Sequence, residues 1–302
     1  MLSRLEQKFP MSSPRRPPNW RGMRLFLAAL SLFVLTACPF RSLREGDAPT
    51  QLPPEGYQSL DRFPFREAWY GIYFDDDKIG YSHFKIKQGK NSFVIAFDSV
   101  VRLGIGAQTK EIDLKESVNV KPDLTLLSFD SLVIMDKKQM QMRGVVKESR
   151  LEVEIVVGGE KMKRDYEVST TVYHSSAVSL MPALRGIRDG QMYSFLTFNA
   201  QKQQLEKVEQ TISRVTSAPG PKKSVWKVRT VCGDSVLHSW LNEQGLPIID
   251  KGAKEPIITF LEDETSAKNF LKRKKQGALP RNITNPFACA EPVARGFADM
   301  GG

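Results

Sequence analysis

Three histidines and three cysteines hold most of the nucleophilic and metal-binding capacity of this chain: His83, His174, His238, Cys38, Cys232 and Cys289. No His-x-x-x-His, Cys-x-x-Cys, phosphate-binding glycine loop or nucleophile elbow occurs. The tightest constellation is Cys232-Gly233-Asp234 with His238 six residues after the cysteine. A cysteine beside a histidine can be activated as a thiolate, the chemistry of a hydrolase or transferase. Gly233-Asp234, however, is a two-residue hairpin signal. It places Cys232 at the end of one strand and His238 well along the next, with no third group to orient the imidazole. The pair is therefore read as structural, and no catalytic residue and no cofactor is assigned. Asp75-Asp76-Asp77 offers hard oxygens suited to Ca²⁺. It lacks the spaced carboxylates and downstream Glu of a dedicated loop, so it reads as a solvated turn, and no metal site is assigned.

Cys38 points to a different chemistry. Upstream lie Arg15, Arg16, Arg21 and Arg24, then an apolar run from Leu25 through Val34, then Leu35-Thr36-Ala37-Cys38. A basic region, an apolar region and small residues before a cut form a secretory signal. With the cysteine directly after the small residues, the segment resembles the lipobox of bacterial lipoproteins. The resemblance implies that Cys38 is lipidated on sulfur, becomes the mature N-terminus and is acylated on its amine. The apolar run falls short of the ~20 residues that span a bilayer. One acyl chain anchors poorly and two or more anchor stably, so the membrane becomes a partner through the lipid on Cys38. Residue 39 is Pro, not the Asp that marks inner-membrane retention in enteric lipoproteins. The expected location is the outer membrane, facing the periplasm.

The formal charge of +10 belongs largely to this leader. Residues 1–37 hold Arg4, Lys8, Arg15, Arg16, Arg21 and Arg24 against Glu6, so cleavage leaves +5. That excess is mild and partly local to Lys272-Arg273-Lys274-Lys275, which argues against nucleic acid as a partner. In an oxidising compartment Cys232 and Cys289 either form a disulfide or remain two buried thiols, and both readings stand. A bridge would close a loop of more than fifty residues. Such a closure contributes ~4 kcal/mol in the chain-entropy model.

The elements that would position these groups are strands. Phe93, Ile95, Phe97, Ser99 and Val101 alternate with Val94, Ala96, Asp98 and Val100, and Leu151, Val153, Ile155 and Val157 alternate with Glu152 and Glu154. Turn residues separate such runs at Asp75–Lys78, Gln88–Asn91, Lys121–Asp123 and Gly158-Gly159. The spacing predicts strands over 68–74, 79–88, 92–103, 108–120, 124–135, 139–147, 150–157 and 161–169. After a short helix within 175–187, limited by Pro182, strands resume at 191–199, 204–216, 224–232, 235–242, 246–250 and 256–261. Acids first and bases last favour a helix at the C-terminal end. The fold class is mainly β: a long-stranded antiparallel meander forming a strongly curved sheet or half-barrel, with one short central helix and a C-terminal helix. The domain reading is a signal peptide at 1–37, a flexible tether at 38–64, a β-rich domain at 65–262, a helix at 263–276 and a mobile tail at 277–302.

Aromatic residues concentrate in the first three strands, and Trp69, Tyr73, Phe84, Phe93 and Phe97 are the candidate apolar ligand face. A coiled sheet with an aromatic concave side can enclose an apolar pocket. His83, inside Ile79-Gly80-Tyr81-Ser82-His83-Phe84, reads as a sheet-face residue and not a ligand.

Trp69-Tyr70-Gly71-Ile72-Tyr73, the acidic turn and Lys78-Ile79-Gly80-Tyr81, with the later Trp240-Leu241-Asn242-Glu243-Gln244-Gly245, resemble a β-rich domain found upstream of bacterial transglutaminase-like cores. The resemblance spans roughly residues 68–262. It implies a non-catalytic accessory module, because no catalytic core follows in this chain and no catalytic residue carries over. The meander also looks like the open barrel of periplasmic lipoprotein carriers, a likeness at the level of fold. The expectation is a membrane-anchored periplasmic lipoprotein that binds an envelope protein or component without catalysis. The alternative is a carrier or sensor of a lipid or other hydrophobic ligand. A Cys/His-dependent envelope enzyme is a distant third.

Overall fold

The computed structural model describes residues 52–269, except 106–107, 136, 201, 216–225 and 254–255. The expected signal peptide at 1–37, Cys38, the first part of the tether, Cys289 and the tail at 277–302 lie outside the described residues.

The chain forms β1 (Glu67–Phe74), β2 (Asp77–Gln88), β3 (Phe93–Ile105), β4 (Gln108–Val120), β5 (Leu126–Met135), β6 (Lys138–Lys147), β7 (Arg150–Val157) and β8 (Glu160–Glu167). A short β9 (Val172–His174), a 3₁₀ segment (Ser175–Leu180) and α1 (Met181–Arg185) follow. The second run is β10 (Met192–Asn199), β11 (Gln204–Arg214), β12 (Trp226–Cys232), β13 (Ser235–Leu241), β14 (Pro247–Gly252) and β15 (Ile257–Glu262), closed by α2 (Glu264–Lys268). Among the described residues the strands make one fifteen-stranded sheet, in the order β8 down to β1, then β15 down to β9. β1 and β15 pair antiparallel in the middle, with Ile72 opposite Thr259. The two meanders therefore join through their first and last strands.

Turn chemistry explains the hairpins. Gly158 and Gly159 both take positive φ (59° and 91°) between β7 and β8, the conformation a two-residue turn needs to match the twist of its strands. Asp75, at φ 51°, does the same between β1 and β2. The acidic triplet is thus a turn that leads into β2.

The sheet bends until its distant parts touch. Phe129 of β5 and Tyr166 of β8 each have ring centroids 5.2 Å from that of Phe198 of β10. It does not close into a barrel, because β8 and β9 are its two edges. Both edges are blunted: β8 reads Glu-Lys-Met-Lys-Arg-Asp-Tyr-Glu and is almost wholly exposed, while β9 has three residues. Charge and brevity are the usual ways of stopping an edge from pairing further. β9 was not expected from the sequence, and it runs parallel to β10.

One boundary differs from expectation. The tether predicted for 38–64 has a packed end, with Tyr57, Leu60 and Phe63 buried, as is the neighbouring Phe65. Its backbone is tied down as well: Leu52 N donates to Glu243 O (2.7 Å), Tyr57 N to Ala183 O (3.0 Å) and Leu60 N to Pro122 O (2.9 Å). Apolar residues spaced without a period give no strand or helix signal, yet they bury well once external carbonyls satisfy the backbone. The C-terminal helix begins where expected, with the Asp263 side chain accepting from Ser266 N at 2.8 Å. Residues 270–276 of the predicted helix lie outside the described residues. No helix among the described residues is long and apolar enough to cross a membrane.

Candidate ligand cavity

The concave face of the sheet is set by strand parity, because alternate residues point to opposite faces. On β1 the inward residues are Tyr70 and Ile72. Cross-strand partners continue the face through Ser82 and Phe84 on β2, Phe97 on β3, and Leu114 and Glu116 on β4. On the other side Thr259, Asp250 and Ser239 stand in direct register across β15, β14 and β13. The 3₁₀ segment adds Val178 and Leu180 as a further wall. Together these elements line a partly open cavity of about 220 Å³.

Its lining is mostly apolar, but two carboxyl groups face it. Glu116 is buried, 6 % exposed, and accepts from Ser131 Oγ at 3.3 Å. Burial pushes its carboxyl up to about 7, with the Ser131 hydrogen bond opposing the shift. Asp250 is pushed up to about 6 by burial, offset in part by hydrogen bonds from Ser239 and Thr259. Asp250 Oδ1 is buried and has no hydrogen-bond partner. Both carboxyls are therefore protonated to a large extent in mildly acidic solution, and their charge depends on pH near neutrality. Tyr70 donates its buried hydroxyl to Pro247 O at 3.0 Å, which holds that side of the cavity in place.

A second polar cluster lies on the same face, near the β10–β11 hairpin. Burial pushes the Glu206 carboxyl up, but hydrogen bonds from Cys232, Lys202, Gln204 and Asn199 outweigh it and hold the carboxyl below its usual range. Cys232 Sγ lies 2.9 Å from Glu206 Oε2, and Asn199 Nδ2 donates to the same oxygen at 2.9 Å. A carboxylate accepting from a thiol favours the protonated thiol, so this geometry works against thiolate chemistry. His174 is fully buried at the end of β9, and burial lowers its imidazole to about 3, so it is neutral.

The structure separates most of the residues that the sequence had grouped. Phe84 and Phe97 line the cavity. Phe93 shares their face but is buried in the core beyond it. Trp69 and Tyr73 do not line the cavity: they have the opposite parity on β1 and sit on the convex side. There Trp69 stacks on His83 at 3.9 Å, and Tyr73 donates its hydroxyl to Glu262 Oε1 at 2.6 Å. Cys232 and His238 are likewise on opposite faces, since Cys232 opposes Ser235 while His238 opposes Arg229. The proposed bridge from Cys232 to Cys289 falls outside the described residues at its second end.

Sequence reasoning missed Glu116 and Asp250. The available signal was parity: Leu114, Glu116, Val118 and Val120 form one inward row, with an acid where an apolar residue is expected.

No protein-family model and no curated protein matches the chain. Among solved structures, it is similar to a β-barrel-like protein of the domain of unknown function DUF1849 from Brucella abortus, at 13 % identity and TM-score 0.47, over 65 % of this chain and 94 % of that one. It is also similar to a DUF1089 family protein from Pseudomonas aeruginosa, at 15 % identity and TM-score 0.32, over 55 % of this chain and 87 % of that one.

Proposed function

We propose that this protein is an exported lipoprotein, held at the periplasmic face of the outer membrane through Cys38, that carries or senses a small apolar ligand inside its curved sheet. The supporting observation is the cavity of about 220 Å³ between β1–β4, β12–β15 and the 3₁₀ wall. An apolar cavity of roughly 150 Å³ already accepts benzene. The space here suits a molecule of roughly ten non-hydrogen atoms, smaller than a long acyl chain. The reading as an accessory module for an envelope protein rests on the Trp69–Tyr81 and Trp240–Gly245 motifs. Among the described residues the large exposed apolar side chains, Val145, Met162 and Met192, lie on three different strands.

Native mass spectrometry of protein purified gently from its host tests the ligand reading. The expected result is a bound small molecule that is lost when Val178→Trp or Leu237→Phe fills the cavity while the circular dichroism spectrum is unchanged. A cavity that holds water alone, with no added small molecule binding at millimolar concentration, overturns it.

A further inference from the structure

The polar part of the cavity is one-sided in charge. Its titratable lining residues are Tyr70, Glu116 and Asp250, and no Lys, Arg or His is among the described residues that line it. The remaining polar groups are hydroxyls, such as Ser82, Thr230 and Ser239, contributed by β2, β12 and β13. The 3₁₀ segment facing both carboxyls supplies only Ser175, Ser176 and Ser179 besides its apolar residues. Glu116 projects from β4 and Asp250 from β14, so the acids enter from two separate parts of the sheet.

A fold does not keep an acid in an apolar wall without cost. Burying a carboxyl with an unsatisfied oxygen is unfavourable unless something supplies the missing donor. Asp250 Oδ1 is such an oxygen. Ser239 and Thr259, its cross-strand neighbours, line the same cavity and add only hydroxyls beside it.

We infer that the ligand is a small apolar molecule bearing a cationic amine, with Asp250 and Glu116 as its counter-charges. This rests on the ligand-binding reading above and names the chemical class that the reading leaves open. An ammonium group donates up to three hydrogen bonds, which suits a site built only of acids and hydroxyls. An anionic head, whether carboxylate or phosphate, meets two acids and no compensating cation, so the same site rejects it. Complementarity also gives binding a pH dependence. At pH 5 both carboxyls are largely protonated, and at pH 8 both are largely ionised. An amine that stays cationic throughout therefore binds more tightly at pH 8.

Three probes of similar shape test this by calorimetry on the full chain in mild detergent: phenethylamine, 2-phenylethanol and 3-phenylpropionate. The expected order is amine first, alcohol second and carboxylate last, with amine affinity rising ~10-fold from pH 5 to pH 8. Asp250→Asn and Glu116→Gln each lower amine affinity ~10-fold and leave the alcohol unchanged. Alcohol or carboxylate binding as tightly as the amine, or amine affinity indifferent to both substitutions, overturns the inference while the ligand-binding reading survives. If none of the three probes binds and native mass spectrometry finds nothing bound, both fail.

Discussion

Tyr166, on the charged edge strand β8, donates its hydroxyl to the backbone carbonyl of Gln203, in the turn between β10 and β11. The same ring meets Phe198 edge-on, with centroids 5.2 Å apart. One side chain thus bridges two regions at opposite ends of the strand order. The contact supplies across a seam what ladder hydrogen bonds would supply in a closed barrel. It also explains how an open sheet of this length keeps a continuous core, since Phe198 is fully buried between Tyr166 and Phe129.

Removing only the hydroxyl isolates this function. Tyr166→Phe keeps the ring contact and leaves the Gln203 carbonyl without that donor. The expected cost is about 1 kcal/mol of stability, read from chemical denaturation. Hydrogen exchange should accelerate in β8 and in the β10–β11 turn and remain unchanged in β3 and β4, which are central. Equal protection in wild type and variant at β8 would show that the seam holds without this bond.

The strands were legible because their pattern is local. The row from Phe93 to Val101 and the row from Leu151 to Val157 each mark one buried face, and each became a strand within two residues of the expected bounds. The pairing of β1 with β15 joins residues nearly two hundred positions apart. Nothing in the periodicity of either strand names the other as its neighbour. The same limit hid β9, whose three buried residues are too few to show a period. It also hid the packed end of the tether, where Tyr57, Leu60 and Phe63 bury without regular secondary structure beyond a short 3₁₀ turn.

Glu116 makes the stability of the protein fall as pH rises. Its carboxyl goes from an ordinary value of 4.5 to about 7 in the fold, because burial disfavours the charged form. A raised value means that the folded state holds the proton more firmly than the unfolded chain does. The associated stability is fully present below about pH 4.5 and is lost as pH passes through about 7. The amount is on the order of 3 kcal/mol, from 1.36 kcal/mol for each unit. Asp250 adds a loss of the same sign over a lower window, from 3.8 to about 6. Glu116→Gln should therefore raise the melting temperature at pH 8 by about 5–10 °C and change it little at pH 4.5. A variant that melts below wild type at pH 8 would show that this carboxyl is stabilised as an anion in the folded protein.

The site was less legible than the sheet, for a reason of parity. Trp69 and Tyr73 look like ligand-facing aromatics by composition, but alternate residues of β1 face opposite ways, and Tyr70 and Ile72 hold the inward positions. Phe84 and Phe97 do lie on the cavity side and are paired directly across β2 and β3. Choosing between the two rows of β1 requires knowing which side of the sheet becomes concave, and that depends on the whole strand order. Acids on an inward row are visible once parity is fixed. Before that, Glu116 and Asp250 look like any other charged residue in a strand.

The anchoring proposal makes the simplest prediction in living cells. Each buried CH₂ of an acyl chain contributes ~0.8 kcal/mol to membrane attachment, and a single chain holds only marginally. If Cys38 carries several chains, removing its sulfur removes the anchor while leaving the β domain, which begins well after it, unaffected. Cys38→Ser should abolish labelling by radioactive palmitate and shift the protein from the membrane pellet to the soluble or precursor fraction. The wild-type chain should take up label and sediment with outer-membrane markers. Absence of label from wild type, with identical fractionation of the serine variant, would reject lipid anchoring and with it the assignment to the periplasmic face, while the cavity experiments would stand independently.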